Sequence, residues 1–169
     1  TACEIWAPNQ AASWVVGTAT TITGLPASAI NVHITLLGGG LGRKIEQDYV
    51  SQAIQTAMAI PNKPVKLTWM REEDFGHDNY RPMALVQANA SLDSAGNVAG
   101  WSYKVATPSI LGQRGWLPPG AVDSQAVEGA VHLPYNLGTK VTEWFPIAAG
   151  VPLGFWRSVG SSKIGRAHV

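Results

Sequence analysis

The sequence predicts an α+β fold, a mixed sheet with helices, and three observations carry that reading. Runs in which apolar residues alternate with polar ones are interleaved with runs in which they recur at helical spacing. Glycine and proline are frequent, at 18 and 11 of 169 residues, so the connections between elements are many. The length suits one ordinary domain with a sizeable core. Hydrophobic residues make up 46% and charged ones 14%, with a net charge of +1. A chain this apolar is not disordered, and one this neutral does not track a nucleic-acid backbone by charge, so no nucleic-acid partner is expected.

Taken in order, Glu4 to Ala7 reads as a short strand, already under way at Thr1 and stopped by Pro8-Asn9. From Gln10 onward Val15, Ala19 and Ile22 fall at helical spacing up to Gly24-Leu25-Pro26. Val32, Ile34 and Leu36 alternate across Asn31 to Leu37, a strand that runs into Gly38-Gly39-Gly40-Leu41-Gly42. Val50, Ala53, Ile54, Ala57 and Met58 mark one face of an amphipathic helix ended by Pro61 and Pro64. Val65, Leu67 and Trp69 predict a strand with a solvated, charged end at Arg71 to Asp74. Ala84 to Leu92 and Val98 to Val105 flank Asp93-Ser94-Ala95-Gly96 as a hairpin. Thr107 to Gly120 has no clear period, Leu133-Pro134-Tyr135 marks a turn, Val141 to Pro146 a strand and Val151 to Gly160 an apolar loop. Residues 1–162 read as one domain or most of one. Lys163 to Val169 reads as the translation of a common sequencing adapter and is set aside as a non-native tail, residues 163–169.

The chemistry concentrates in the glycine cluster. A strand, glycines and then a helix let the backbone approach an anionic group closely and offer it unbonded amides. Spacing excludes two common versions. Lys44 lies between Arg43 and Ile45, which breaks the Walker A pattern, and Arg43 stands where a dinucleotide fingerprint needs glycine. An unliganded, tight strand-to-helix connection fits the loop equally well. The single cysteine, Cys3, excludes an internal disulfide and a cysteine-based metal site, and His77 beside Asp78 lacks the partners of one. Gln10 on its own reads as a residue at a helix start, and Arg157 as a buried ion pair or a surface side chain; nothing places Glu128 as a base.

Several motifs together go further. Gly38-Gly39-Gly40-Leu41-Gly42-Arg43-Lys44 resembles the glycine signature of the xanthine dehydrogenase and aldehyde oxidase family of molybdenum hydroxylases. Trp6-Ala7-Pro8-Asn9-Gln10, Arg71-Glu72-Glu73-Asp74 with His77-Asp78 and Tyr80-Arg81-Pro82, and Trp156-Arg157-Ser158-Val159-Gly160 follow in the family's order. In particular they resemble the isoquinoline 1-oxidoreductase type of large subunit, with the bacterial aldehyde-oxidising membrane complexes as similar relatives. The resemblance implies part of a molybdopterin-binding domain from an oxidoreductase that hydroxylates an N-heterocycle or oxidises an aldehyde, with water as oxygen source.

Carried across position by position, the resemblance implies cofactor contacts from Gln10, from the backbone amides of Gly40, Leu41 and Gly42, and from Arg157. It implies pocket positions at Ile45 and Val159. Leu41 replaces the family's usual phenylalanine, Ile45 a substrate-binding glutamate and Val159 a stacking phenylalanine, which together disfavour a purine. The family's catalytic glutamate is expected beyond Ser162, so this piece is expected to be inactive alone. The implied cofactor is molybdopterin, as the cytosine dinucleotide in bacteria. The implied partners are a small subunit with two [2Fe-2S] clusters, a cytochrome c acceptor and a small-molecule substrate. The bacterial periplasm or its membrane face is favoured over the cytoplasm. Two rival readings are a phosphate- or nucleotide-binding module built on Gly38 to Gly42 and a non-catalytic domain of the same descent.

Overall fold

The computed structural model describes residues 2–163, so the expected tail lies outside the described residues apart from Lys163. The chain divides into two compact units, Thr1–Asp78 and Asn79–Val169. The mixed α and β composition and the mixed sheet expected from the sequence are both present.

In the first unit β1 (Cys3–Ala7) pairs in parallel with β2 (Ile30–Ile34), Cys3 opposite Ile30 and Ala7 opposite Ile34. Parallel neighbours need a long crossover, and helix α1 (Ala12–Thr23) supplies it. Gly24 ends α1 at φ 70°, a left-handed conformation that costs glycine little, and its amide donates to the Thr20 carbonyl at 3.0 Å. Helix α2 (Asp48–Ala59) inserts Val50 and Ile54, one turn apart, into the core formed by Ala7, Val15, Ala19 and Ile30. Each of the larger side chains contributes roughly 1.5–3 kcal/mol by leaving water.

Three local expectations are corrected here. The strand expected to reach Leu37 stops at Ile34. Its partner ends at Ala7, where Pro8 has no amide to offer, and only Thr35 makes one more bond, to the Ala7 carbonyl at 3.2 Å. Val65 to Trp69 pairs with no strand among the described residues, and only Val65 and Trp69 of its alternating residues are partly covered. Arg71 to Asp74 is the start of helix α3 (Arg71–His77). Glu72, Glu73 and Asp74 suit the positive end of a helix, and Arg71 lies over the Phe75 ring at 5.7 Å, four residues on.

In the second unit β3 (Leu85–Leu92), β4 (Val98–Thr107) and β5 (Thr139–Pro146) form one sheet in that order, antiparallel then parallel. Central β4 buries every second residue: Tyr103, Val105 and Thr107. Val86 and Trp144 flank Val105 in the ladder, and Val127 and Ala130 close the core. The stretch without a clear period contains the one-turn helix α4 (Ile110–Gln113); α5 (Ser124–Val127) follows it. Buried Asp123 joins the two, accepting from Ser109 Oγ at 2.6 Å, Leu111 N at 3.2 Å and Gln125 N at 2.8 Å. The Tyr103 hydroxyl donates to the Lys163 carbonyl at 2.8 Å. Among the described residues no helix is long and apolar enough to cross a membrane.

Candidate functional site

The first unit's site is built from Asn9 outward. Asn9 is buried between the end of β1 and the start of α1, and its amide is fully used. Nδ2 donates to the Glu46 carbonyl at 3.2 Å and the Tyr49 hydroxyl at 2.8 Å, while Oδ1 accepts from Ala11 N at 2.8 Å and Gln47 Nε2 at 3.3 Å. The Tyr49 hydroxyl in turn donates to the Pro8 carbonyl at 3.1 Å. Burial pushes the Tyr49 phenol up from its ordinary pKa, which keeps it a hydrogen-bond donor. These bonds fix the chain just before Gln10, whose own amide donates to the Lys44 carbonyl at 2.8 Å. Gln10 therefore stands outside α1, with its side chain directed along the glycine loop.

Gln10 Oε1 accepts from the Gly42 amide at 3.1 Å. That bond fixes which end of the carboxamide is which, because an amide N–H needs an acceptor. Nε2 is left exposed, with no protein partner among the described residues. Gly40 is held against this side chain, where an added Cβ would come within 2.6 Å of Gln10 Cδ. Gly38 and Gly39 take φ of 65° and 101° and face open space. Leu41 holds φ 52° at the loop's crest, a conformation costing a branched side chain on the order of 1 kcal/mol, and its side chain is exposed.

The amides of Gly38, Gly39, Gly40 and Leu41 donate to no protein group among the described residues. The Gly42 amide is engaged by Gln10, so the open donors are those before it. The loop does not lead straight into a helix, as the strand–glycine–helix pattern suggested. A short 3-10 turn, Arg43–Ile45, comes first, and α2 begins only at Asp48. Ile45 is half-buried in that turn, its carbonyl accepting from Gln47 Nε2 at 2.7 Å.

The two cations after the loop are both engaged by protein groups. Lys44 Nζ donates to the Leu37 carbonyl, which closes the loop at its base. Arg43 forks onto Asp48, Nη1 to Oδ1 at 3.1 Å and Nη2 to Oδ2 at 2.8 Å. Its Nε edge faces Asp74 at 3.7 Å and pairs with Asp78, and its plane lies over Trp69 at 5.4 Å. Burial alone would weaken the guanidinium's charge, but Asp48, Asp78 and Asp74 more than offset it, and the pKa is raised. Asp74, read from sequence as part of a solvated run, is thus an anchor. Its spacing from Asp78, four residues on and just past the helix end, was the available signal, and reading the segment as a strand concealed it.

Arg157 and Val159 belong to the second unit. They sit in a turn with Ser158 at φ 71° and Val159 at φ 35°, a rare conformation for a β-branched residue. Arg81 holds this turn: it lies over Trp156 at 5.6 Å and donates to the Arg157 carbonyl at 3.1 Å and Ser162 Oγ at 2.6 Å. Trp156 Nε1 donates to the Asn79 carbonyl at 2.9 Å, and Gly160 N to Glu128 Oε2 at 3.2 Å. Glu128 thus has a structural bond here. The Arg157 guanidinium is exposed and pairs with no group among the described residues, and Val159 is half-buried. Among those residues, no three histidines, cysteines or carboxylates gather as a metal would require.

Comparison with known proteins gives three findings. The family model for the molybdopterin cofactor-binding domain matches residues 1–113, which include Gln10, the glycine loop and the Arg43 anchors. A membrane-bound aldehyde dehydrogenase (pyrroloquinoline-quinone) of Gluconacetobacter polyoxogenes is 29% identical over 161 residues, 95% of this chain and 19% of that protein. Isoquinoline 1-oxidoreductase subunit beta of Brevundimonas diminuta is 29% identical over 109 residues, 64% of this chain and 14% of that protein. The chain spans less than a fifth of the length of either relative.

Proposed function

The chain belongs to the molybdopterin cofactor-binding domain family, and from that premise we propose that residues 1–162 are a piece of the cofactor-binding subunit of a molybdenum hydroxylase. The observation that carries the proposal is the Gln10–Gly42 bond at 3.1 Å, which leaves Gln10 Nε2 exposed beside the open amides of Gly40 and Leu41. Those donors fit an oxygen-rich metal–pterin group. They are neutral and fixed in place, and two glycines without a Cβ leave room for close approach. Gln10 and the amides of Gly40 and Leu41 would hold the group, with Gly42 acting through Gln10. When bound, molybdopterin supplies the redox centre at which water provides oxygen to a substrate carbon.

A phosphate- or nucleotide-binding loop is less well supported. Such loops place a lysine or arginine on the anion, and here Lys44 and Arg43 are both committed to the protein. In the second unit, taken by itself, Arg157 offers an exposed cation and Val159 a half-buried apolar side chain. Apolar Ile45, shortly after the glycine loop, favours a neutral N-heterocycle or an aldehyde as substrate. The cytosine dinucleotide form of the cofactor, a small [2Fe-2S] subunit, a cytochrome c acceptor and a periplasmic site complete the reading.

The test is to express the full-length parent protein with its small subunit and measure bound metal and released cofactor. Molybdenum near one atom per large subunit, with pterin released on denaturation, is the expected result. The aldehyde dehydrogenase relative carries pyrroloquinoline quinone in its name. Finding that quinone in place of molybdenum, or a folded complex with neither, would overturn the proposal.

A further inference from the structure

Arg43 directly follows the glycine loop, a place where a cation could meet a bound anion. The geometry points to a different role: we propose that Arg43 is a positioning residue, which holds the loop's open amides in place through Asp48, Asp74 and Asp78. This rests on the cofactor-binding reading of the same loop.

A guanidinium has two hydrogen-bonding edges and two faces. The Nη edge is taken by Asp48 at the start of α2, with bonds of 3.1 and 2.8 Å. The Nε edge is buried against two carboxylates as ion pairs, Asp78 just past the end of α3 and, at 3.7 Å, Asp74 within it. One face is covered by Trp69 at 5.4 Å, and Trp69 is itself held by a bond from Nε1 to Gln52 Oε1 on α2 at 2.8 Å. Both edges are therefore occupied by protein. The side chain joins three parts of the unit, namely the start of α2, the Trp69 segment and α3.

The backbone of Arg43 passes that constraint to the loop. Its amide donates to the Gly40 carbonyl at 2.9 Å, and Ile45 N donates to the Gly42 carbonyl at 3.2 Å. The Gly40 carbonyl shares a peptide plane with the Leu41 amide, so fixing one orients the other. A loop with four positive-φ residues among five gains little rigidity from its own sequence. Rigidity must come from its ends, and Lys44 on Leu37 closes the base while Arg43 ties the exit to α2 and α3. Lysine could not serve here, since a single ammonium cannot fork onto Asp48 and also meet Asp74 and Asp78 along a second edge.

The experiment uses the full-length parent protein with its small subunit, as wild type, Arg43→Gln, Arg43→Lys and the double variant Asp74→Asn/Asp78→Asn. Three quantities are read: amide hydrogen exchange over residues 38–45, molybdenum per polypeptide, and the electron paramagnetic resonance spectrum of the reduced metal. For Arg43→Gln, exchange at the bonded amides of Gly42, Arg43 and Ile45 should rise about tenfold while α1 and β1 stay protected. Molybdenum should fall about tenfold, the scale on which groups that orient a metal's contacts act. Arg43→Lys should not restore either quantity, and the double variant should shift both in the same direction by a smaller amount, with an altered resonance from the metal that remains. Unchanged exchange in Arg43→Gln, or faster exchange with full molybdenum and an unaltered resonance, overturns the proposal. If Arg43→Gln fails to fold, the double variant decides by the same criteria. A wild type with no molybdenum refutes the cofactor reading, and the exchange comparison still judges Arg43.

Discussion

Replacing Asn9 by alanine removes a buried amide that serves two donors and two acceptors at once. The Ala11 amide would lose this bond at a half-buried position and the Glu46 carbonyl at a buried one. A loss of roughly 2–3 kcal/mol in unfolding free energy is expected, against well under 1 kcal/mol for an exposed asparagine. Denaturant titration of the two proteins checks this, and Asn9→Ala unfolding at the wild-type midpoint would refute the account. Gln10, the next residue, is exposed, and among the described residues its side chain bonds only to Gly42. Adjacent residues in one motif therefore do separate work: Asn9 fixes the chain, and Gln10 keeps one nitrogen available. Arg81 and Arg157 divide in the same way, the first clamping a strained turn and the second left exposed upon it. Strain of the kind seen at Ser158 and Val159 persists only where neighbours over-determine it, and Arg81 is the neighbour that does so.

At the scale of elements, the β3–β4 hairpin shows how a turn depends on one ionisable side chain. Asp93 Oδ1 accepts from Ala95 N at 2.9 Å and Asn97 N at 2.8 Å, and Oδ2 accepts from Asn97 Nδ2 at 3.2 Å. The bonds from Asn97, first through its backbone, hold the Asp93 carboxyl below its ordinary pKa. A depressed carboxyl stabilises the folded state above its unfolded pKa and loses that contribution as pH falls through the folded one. The turn should therefore be fully formed at neutral pH and loosen in acid below the usual aspartate range. Amide exchange of Ala95 and Asn97 followed against pH checks this, and Asp93→Asn should weaken the pH dependence. That turn was legible in the sequence because Asp, Ser, Ala and Gly between two alternating runs have few other uses. Helices α1 and α2 were legible for the same kind of reason, since their core contacts recur at a fixed period. What was not legible depended on partners. Leu36 continues the alternation of β2 but has no strand beside it, and Asp74 reads as a solvated charge until α3 turns it toward Arg43. The glycine loop could be located from sequence, but the partners of Gln10, Arg43 and Lys44 could not.

The molecule as a whole leaves much apolar surface in water. Leu36 is 99% exposed, Leu85 76% and Phe75 73%, and Trp6, Met83 and Tyr135 are more than half exposed. Single exposed apolar residues are ordinary, but large ones in this number on a chain of 169 residues mark surface suited to other protein. Charge does little to oppose association, because the net charge is +1 at pH 7 and the pI is about 7.9. The chain spans less than a fifth of the length of the relatives it matches. The isolated chain should therefore self-associate near neutral pH and bind a hydrophobic dye. Sedimentation velocity should show weight-average mass rising with concentration, and Leu36→Lys with Leu85→Lys should reduce that rise without shifting the thermal midpoint by more than about 2 °C, since neither side chain packs in a core. A dye-negative monomer at about 100 μM, well within the range where exposed apolar surface drives aggregation, would show that these faces are tolerated as they stand.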